Sequence, residues 1–264
     1  MKLALAQLDV EAGAAAANRE RAIEAIHDAA DRGADLVALP ELWNVGFFAF
    51  DRYEELAESL AGPTLDAVRI AADDRNVGVL AGSIVEDLST ADDGPSGEGL
   101  ANTTVLLDRD GSTLAVYRKR HLFGYESEEA QLLVPGESLG VADFEGFRVG
   151  MTTCYDLRFP ELYRDLVDRG VTLVLVPSAW PYPRVEHWHT LSRARAVENQ
   201  FFVATINGAA AFEDARLLGR STVYDPWGTT LASSDDDPTI VTASIDPDRV
   251  ARVREEFPAL RDRR

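Results

Sequence analysis

Only one cysteine, Cys154, occurs among the 264 residues, so no intramolecular disulfide can brace the fold and nothing in the chain calls for an oxidising compartment. A lone thiol is better preserved in a reducing environment, which points to the cytoplasm. Long apolar runs are missing as well. Stretches such as Val171 to Val176 fall far short of the roughly 20 residues needed to cross a bilayer. Met1-Lys2-Leu3 runs straight into alternating strand-like sequence with no recognisable export signal. Positive charge is scarce: 26 Lys and Arg stand against 45 Asp and Glu, a formal net charge of −19. With no basic stripe to interrupt it, that field repels phosphate backbones and anionic lipid, so neither nucleic acid nor membrane is expected as a partner. The acidic residues are spread along the chain, with dense runs at Asp92-Asp93 and Asp235-Asp236-Asp237 in loop-like sequence. This pattern predicts a solvated acidic surface of the kind salt-adapted proteins carry.

Several chemistries are excluded by missing motifs. There is no Gly-x-Ser-x-Gly elbow, no phosphate-cradling Gly-x-x-x-x-Gly-Lys loop and no His-Glu-x-x-His pair. His187 and His189 lie two apart on a predicted helix, which turns their rings in different directions, so no metal site and no cofactor are expected. The scarcity of lysine is informative in another way. Of the 26 cationic residues only Lys2 and Lys119 are lysine. Wherever a generic surface cation would serve, the chain uses arginine, so a lysine deep in the sequence asks for a specific reason.

Strand-like segments recur at Leu3 to Leu8, Asp35 to Pro40, Val77 to Val85, Asn102 to Asp108 and Thr113 to Lys119, the last two joined by an Asp108-Arg109-Asp110-Gly111 turn. Others follow at Phe147 to Cys154, Val171 to Pro177, Phe201 to Asn207, Ser221 to Tyr224 and Ile240 to Ile245. Helical patterns cover Ala17 to Ala30, Leu65 to Ala72, Glu161 to Asp168 and Glu186 to Gln200, with apolar residues at three- and four-residue steps. The mixed order predicts an α/β sandwich of two sheets with helices on their outer faces, formed by residues 1–264 as a single domain. Ser89 to Glu98 reads as a surface loop within that domain, and there is no internal repeat.

Three strand ends carry the chemistry. Cys154 follows an apolar strand and precedes a turn and a helix beginning near Phe159-Pro160-Glu161, where a nucleophile is held rigidly while facing a pocket above the sheet edge. Backbone N–H groups in such a turn can help bind an oxyanion. Glu41 follows the apolar strand Asp35 to Pro40 and precedes the aromatic-rich Trp43 to Phe50. Partial desolvation there would raise its pKa toward that of a usable base. Lys119 ends Val116-Tyr117-Arg118-Lys119, where Arg118 and Arg120 read as solvent-facing charge. Amide hydrolysis needs a thiol nucleophile, a group that takes and returns a proton, and a fixed cation for the oxyanion; Cys154, Glu41 and Lys119 supply all three.

Leu39-Pro40-Glu41, Tyr117-Arg118-Lys119-Arg120-His121-Leu122-Phe123 and Cys154-Tyr155-Asp156-Leu157-Arg158-Phe159-Pro160-Glu161 resemble, in order, the three signature blocks of the carbon–nitrogen hydrolase (nitrilase) superfamily. The resemblance extends through Ala194 to Gln200 and Asp225-Pro226-Trp227-Gly228 to the Phe257 to Arg261 tail. It implies an αββα sandwich, usually dimerised across its helical faces. It also implies Glu41 as general base, Cys154 as the nucleophile that becomes an acyl-thioester, and Lys119 as the cation of the oxyanion. A second glutamate often precedes a Pro-Gly pair in such proteins. Here Glu126, Glu128 and Glu129 precede Pro135-Gly136, and spacing favours Glu129.

Pro177 to Arg184, with His187-Trp188 and Arg193 to Gln200, is similar to the ω-amidase branch, which hydrolyses the terminal amide of 2-oxoglutaramate or 2-oxosuccinamate and releases ammonia. A small-molecule substrate of that kind carries a carboxylate. Arg184 is the expected partner for it, beside Tyr155 and Trp180, while Arg158 reads as a structural ion-pair partner of a nearby acid. Within the family the alternative is hydrolysis of an N-carbamoyl compound. A nitrile is disfavoured by Cys154-Tyr155-Asp156, which resembles the amidase type. Of another class altogether is a non-catalytic binding or scaffold protein with this fold, which the retained triad argues against.

Overall fold

A computed structural model describes residues 1–91, 98–125, 127–213 and 215–263. In chain order the first half holds β1 (Lys2–Gln7), α1 (Ala15–Asp31), β2 (Leu36–Ala38), α2 (Tyr53–Leu56), α3 (Pro63–Arg75), β3 (Gly78–Asp87), β4 (Leu100–Leu107), β5 (Thr113–Arg118) and the single turn α4 (Glu129–Leu132). The second half holds β6 (Gly140–Phe144), β7 (Phe147–Met151), α5 (Pro160–Asp168), β8 (Leu173–Ser178) and α6 (Val185–Asn199). It closes with β9 (Phe202–Asn207), β10 (Thr222–Tyr224), β11 (Thr230–Ser233), β12 (Thr239–Ser244) and α7 (Asp248–Glu256).

The strands form two six-stranded sheets, ordered β12-β1-β2-β3-β4-β5 and β11-β10-β9-β8-β7-β6. Alternation along each strand decides what each face packs against. Leu3 and Leu5 of β1 point between the sheets and join Val149, Leu173, Leu175 and Phe202 of the second sheet in one buried cluster. Ala4 and Ala6 point the other way and meet Ala22, Ile26 and Ala29 of α1 and Val68 and Ala72 of α3. On the far side Val174, Val176 and Val203 pack under Leu162 and Leu166 of α5 and Trp188 and Ala196 of α6. The result is the expected four-layer αββα sandwich.

Local chemistry sets the helix ends. Pro63 and Pro160 open α3 and α5, where a missing N–H costs nothing. Asn76 and Gln200 close α3 and α6 in the left-handed conformation. Strands β1, β2 and β3 run parallel, as do β7, β8 and β9. The chain beyond β2, β5, β7 and β8 therefore emerges toward a common cleft, and the candidate residues lie just past these four ends.

Several boundaries differ from those the sequence suggests. The strand leading to Cys154 stops at Met151: after a last bond from Thr152 N–H to the Leu175 carbonyl of β8 the ladder ends, and the Thr152 and Thr153 hydroxyls tie to those of Tyr163 and Thr104. Strands β6 and β11 and helix α7 carry too little apolar pattern to be read in advance; β11 is largely exposed. Arg118 is not solvent-facing: its guanidinium makes a two-pronged ion pair with the buried Glu86, whose carboxylate also accepts from the Thr103 hydroxyl. The Asp235 to Asp237 run is partly built into the fold, since Asp236 pairs with Arg220 and the carbonyls of Asp235 and Asp237 accept from Gln7. Asp92-Asp93, most of the Ser89 to Glu98 loop, and Glu126 lie outside the described residues. Among the described residues no helix is long and apolar enough to cross a membrane.

One irregularity of the first sheet shapes the cleft. The β3–β4 register shifts between Leu80 and Ser83, and Gly82 sits in this bulge at φ +61°. The bulge receives the segment after β2: Ser83 N–H donates to the Pro40 carbonyl, Leu42 N–H to Ser83 Oγ, and Trp43 Nε1–H to the Ala81 carbonyl. A Cβ on Gly82 would stand 2.1 Å from the Pro40 carbonyl oxygen and 2.8 Å from the Trp43 ring. Gly82→Ala is therefore expected to cost roughly 2 to 4 kcal/mol, on the order of 5 to 15 °C in Tm, from strain at positive φ together with the clash. It should also displace Glu41. A calorimetric scan giving parent Tm for the folded variant would contradict this account of the bulge.

Candidate active site

Lys119 follows the last residue of β5, where its N–H donates to the Asn102 carbonyl of β4 and its own carbonyl accepts from Gly136 N–H. A Cβ on Gly136 would fall 2.2 Å from the Arg118 carbonyl oxygen, so the Pro135-Gly136 pair is what lets the following segment lie against this strand end. The lysine side chain is fully buried. Its Nζ donates to Glu41 Oε1 at 2.8 Å and to Glu129 Oε1 and Oε2 at 2.7 and 3.0 Å. Burial opposes its charge, but Glu129 and then Glu41 outweigh that, and the ammonium is held well above the usual lysine range.

Every oxygen of the two carboxylates has a donor. Glu41 Oε1 accepts from Lys119 and, at 2.8 Å, from Asn102 Nδ2; its Oε2 accepts from Ala179 N–H at 2.8 Å, just beyond β8. Glu129 Oε1 accepts from Lys119 and, at 3.1 Å, from Asn102; its Oε2 accepts from Phe123 N–H at 2.7 Å. Burial, reinforced by the Glu41 charge and opposed by Lys119, holds Glu129 above the usual carboxylate range. The surroundings of Glu41 are thus more polar than its apolar flanks suggest.

Cys154 begins a short 3-10 turn, Cys154–Arg158, at φ +45°, a strained value for a residue with a side chain. Its thiol is close enough to Glu41 and Lys119 to feel both charges. Burial and then the Glu41 charge push it well above the usual cysteine range, only partly countered by Lys119. The resting group is therefore a protonated thiol beside a carboxylate and an ammonium. The structure thus brings Glu41, Lys119, Cys154 and Glu129 into one buried cluster. Of Glu128 and Glu129, the two candidates for the fourth place that lie among the described residues, Glu129 is the one in contact with Lys119.

Above the cluster opens a cavity of about 280 Å³ whose lining includes Lys119, Cys154, Phe47, Phe123, Tyr155 and Trp180. Arg158 and Arg184 line it too. Arg158 is not the ion-pair residue expected: among the described residues no carboxylate pairs with it. Its guanidinium instead lies 5.0 Å from the Trp180 ring and 5.7 Å from the Tyr155 ring, with a 3.2 Å hydrogen bond to His187 Nδ1. Arg184 stands 5.8 Å from the Phe123 ring, and it too has no carboxylate partner among the described residues. His187 and His189 point to Arg158 and Tyr224 respectively. Among the described residues no group of three metal-binding side chains occurs.

Asn102 and the aromatic wall of Phe47 and Phe48 carry no role in the sequence reading. An asparagine inside the strand Leu100–Leu107 is itself a signal, because asparagine is depleted from strands unless its amide has work to do. The two phenylalanines lay in the aromatic-rich run after Glu41, but nothing in that run indicates which rings reach the cavity.

This fold and cluster define a hydrolase of the cysteine type, and sequence comparison agrees: the carbon-nitrogen hydrolase family model matches residues 2–255. The chain belongs to the carbon–nitrogen hydrolase family. It is 38% identical to a 2-oxoglutaramate amidase of Paenarthrobacter nicotinovorans over 88% of this chain and 79% of that protein. It is 35% identical to human omega-amidase NIT2 over 100% of this chain and 95% of that one. Among solved structures, Nit3 of Saccharomyces cerevisiae, a nitrilase superfamily member, superposes with a TM-score of 0.89 at 29% identity, covering 100% of this chain and 96% of that chain. A mutant amidase from Nesterenkonia sp. AN1, bearing the acetamide moiety of fluoroacetamide on its active-site cysteine, gives 0.86 at 28% identity over 100% and 94%.

Removing the ammonium should expose the cost of the buried carboxylates. Lys119→Met is expected to lose roughly 3 to 5 kcal/mol near neutrality, the usual range for breaking a buried pair. The pH dependence has a definite sign. Glu129, already raised, rises further without Lys119, so the folded state keeps a proton that the unfolded state has released, and stability falls as pH rises through that window. The deficit relative to the parent should therefore shrink from about pH 8 to about pH 5 in denaturant titrations. A deficit that grows on acidification would show that Lys119 does not compensate these carboxylates.

Proposed function

We propose that this chain is a cysteine-dependent amidase that hydrolyses the terminal amide of a 2-oxo dicarboxylic acid, 2-oxoglutaramate or a close relative, releasing ammonia. The observation carrying the proposal is the cavity itself: Cys154 and Lys119 at its buried end, and two arginines in its lining with no carboxylate partner among the described residues. In a chain of net charge −19, two such guanidiniums over aromatic rings suit an anionic end of the substrate. The 2-oxoglutaramate amidase and omega-amidase relatives favour the same substrate class.

In this reading Glu41, Lys119, Cys154 and Glu129 form the catalytic group, and Arg158, Arg184, Tyr155 and Trp180 surround the rest of the substrate. Cys154 Sγ attacks the amide carbon while its proton passes to Glu41, and Lys119 stabilises the oxyanion. Glu41 then delivers that proton to the nitrogen, the C–N bond breaks, ammonia leaves and an acyl-thioester remains. Water attacks the thioester as Glu41 takes its proton; collapse frees the 2-oxo dicarboxylate and returns the proton to sulfur. Glu129 keeps Lys119 in place throughout. Residues 1–264 act as one domain, and a free thiol at the centre of the site suits the reducing cytoplasm.

Ammonia release across 2-oxoglutaramate, glutamine, N-carbamoyl amino acids and simple nitriles, at low and high salt, tests the substrate. The highest kcat/KM is expected on 2-oxoglutaramate. Arg184→Met should raise KM for it roughly tenfold or more, the loss of a charge-assisted contact, with kcat little changed. Cys154→Ala should be inactive. Preference for N-carbamoyl amino acids would favour the alternative hydrolysis, and no turnover of any amide would favour a binding protein.

The same reading includes a homodimer. Val197 of α6, Trp227 and Phe257 form a contiguous exposed apolar patch, with Val197 against Gly228 and the Trp227 and Phe257 rings 5.9 Å apart. Light scattering should give twice the 28.9 kDa chain mass for the parent and less for Trp227→Glu. A monomeric parent would remove the dimer.

A further inference from the structure

Asp156 lies two residues past Cys154, fully buried, and the mechanism above gives it no part. Its carboxylate is nonetheless saturated. Oδ2 accepts from the Tyr117 hydroxyl at 2.6 Å and from Thr153 N–H at 2.9 Å. Oδ1 accepts from His121 N–H at 3.1 Å and lies 2.7 Å from His121 Nδ1. The His121 ring is stacked on Phe159 at 3.7 Å, which fixes its plane, and the Tyr117 hydroxyl in turn accepts from Arg120 N–H at 3.3 Å. Burial and then the Asp156 charge hold the Tyr117 phenol well above its usual range, so it stays a donor.

Among the described residues the donors come from two places. Tyr117 and His121 flank Lys119 on either side, while Thr153 directly precedes Cys154. We propose that Asp156 is the positioning residue of this site, a buried carboxylate that clamps the lysine-bearing strand end to the cysteine-bearing turn and so fixes Lys119 relative to Cys154. The proposal rests on the reading of Cys154 as nucleophile and Lys119 as the oxyanion's cation. It adds the part that holds them in register. A thiol at φ +45° has no local reason to stay there; the Thr153 N–H bond and the Thr153 to Thr104 hydroxyl contact at 3.2 Å supply one. Asp156 acts only through these neighbours.

Two variants separate positioning from mere support. Asp156→Asn keeps the shape but turns an acceptor into a donor facing other donors. Tyr117→Phe cuts one tie and leaves the Asp156 charge in place. In each folded variant, kcat on the best amide should fall about 10- to 100-fold with KM within about twofold, as when reacting groups shift by about 1 Å. Adding Asp156→Asn to Lys119→Arg should cost much less than adding it to the parent, because both act on the same contact. A second readout needs no substrate: the pH profile of Cys154 alkylation by iodoacetamide, followed by intact mass. Glu41 and Lys119 are the charges that face the thiol, so letting Lys119 drift away should move the Tyr117→Phe profile to higher pH. Parent-like kcat and an unmoved profile in folded Tyr117→Phe and Asp156→Asn would overturn the proposal. A parent that turns over no amide, with profiles still shifted in Tyr117→Phe, would retire the amidase reading and leave the role of Asp156 standing.

Discussion

A buried ammonium held between two buried carboxylates is the constraint around which this molecule is arranged. Each ion removed from water costs several kcal/mol even after relaxation, and attraction repays that only if the remaining lone pairs are filled. Here they are filled from four directions: Asn102 on β4, Ala179 beyond β8, Phe123 beyond the Lys119 strand end, and Lys119 itself. These donors come from three segments of chain, β4, the stretch after β5 and the stretch after β8, so the two sheets must meet at one separation and in one register. The Gly82 bulge and the close approach at Gly136 follow from that demand, since both admit backbone where a side chain would collide.

The same arrangement places strain and stability in different hands. Cys154 sits in an unfavourable backbone conformation, while the groups around it are heavily cross-linked. Strain at a reactive residue survives when its surroundings over-determine it. The apolar clusters between and outside the sheets provide the rigid frame, and the polar ties of Thr153, Asp156 and Asn102 convert that frame into a fixed distance between thiol, carboxylate and ammonium.

Much of this was legible in the sequence, and for identifiable reasons. Apolar strands such as Lys2–Gln7, buried on both faces, and helices with an apolar stripe, such as Pro160–Asp168, announce themselves because those side chains must be buried. Glu41, Lys119 and Cys154 stood out because each follows an apolar strand and because lysine and cysteine are so rare here. What escaped depends on contacts between distant segments. Arg118 and Arg158 look alike in sequence, yet Arg118 meets Glu86 in a buried pair while Arg158 turns to Trp180 and Tyr155. No local pattern records which acid a folded strand will bring within reach. Strand β11 escaped for the opposite reason: with little of it buried, the pattern that reveals other strands was never imposed on it.

Why the cluster should carry one ammonium against two carboxylates, rather than a neutral pair, follows from the proton's path. With both carboxylates charged, the resting set sums to one negative charge beside a neutral thiol. In the proposed mechanism the proton moves to Glu41 as sulfur attacks and a negative charge appears on the carbonyl oxygen, so the sum is unchanged: Glu41 becomes neutral as the oxyanion forms. The negative charge has moved from one neighbour of Lys119 to another, and Glu129 continues to hold the ammonium where both can reach it. A buried site favours steps that conserve its charge, because none of the desolvation cost has to be met again on the way to the intermediate. Arginine would satisfy the same sum. It would not satisfy the geometry, for a planar fork cannot direct separate donors to Glu41, Glu129 and an oxyanion from one tetrahedral nitrogen. That is a physical reason for a chain that otherwise builds its cations almost wholly from arginine to keep a lysine at position 119.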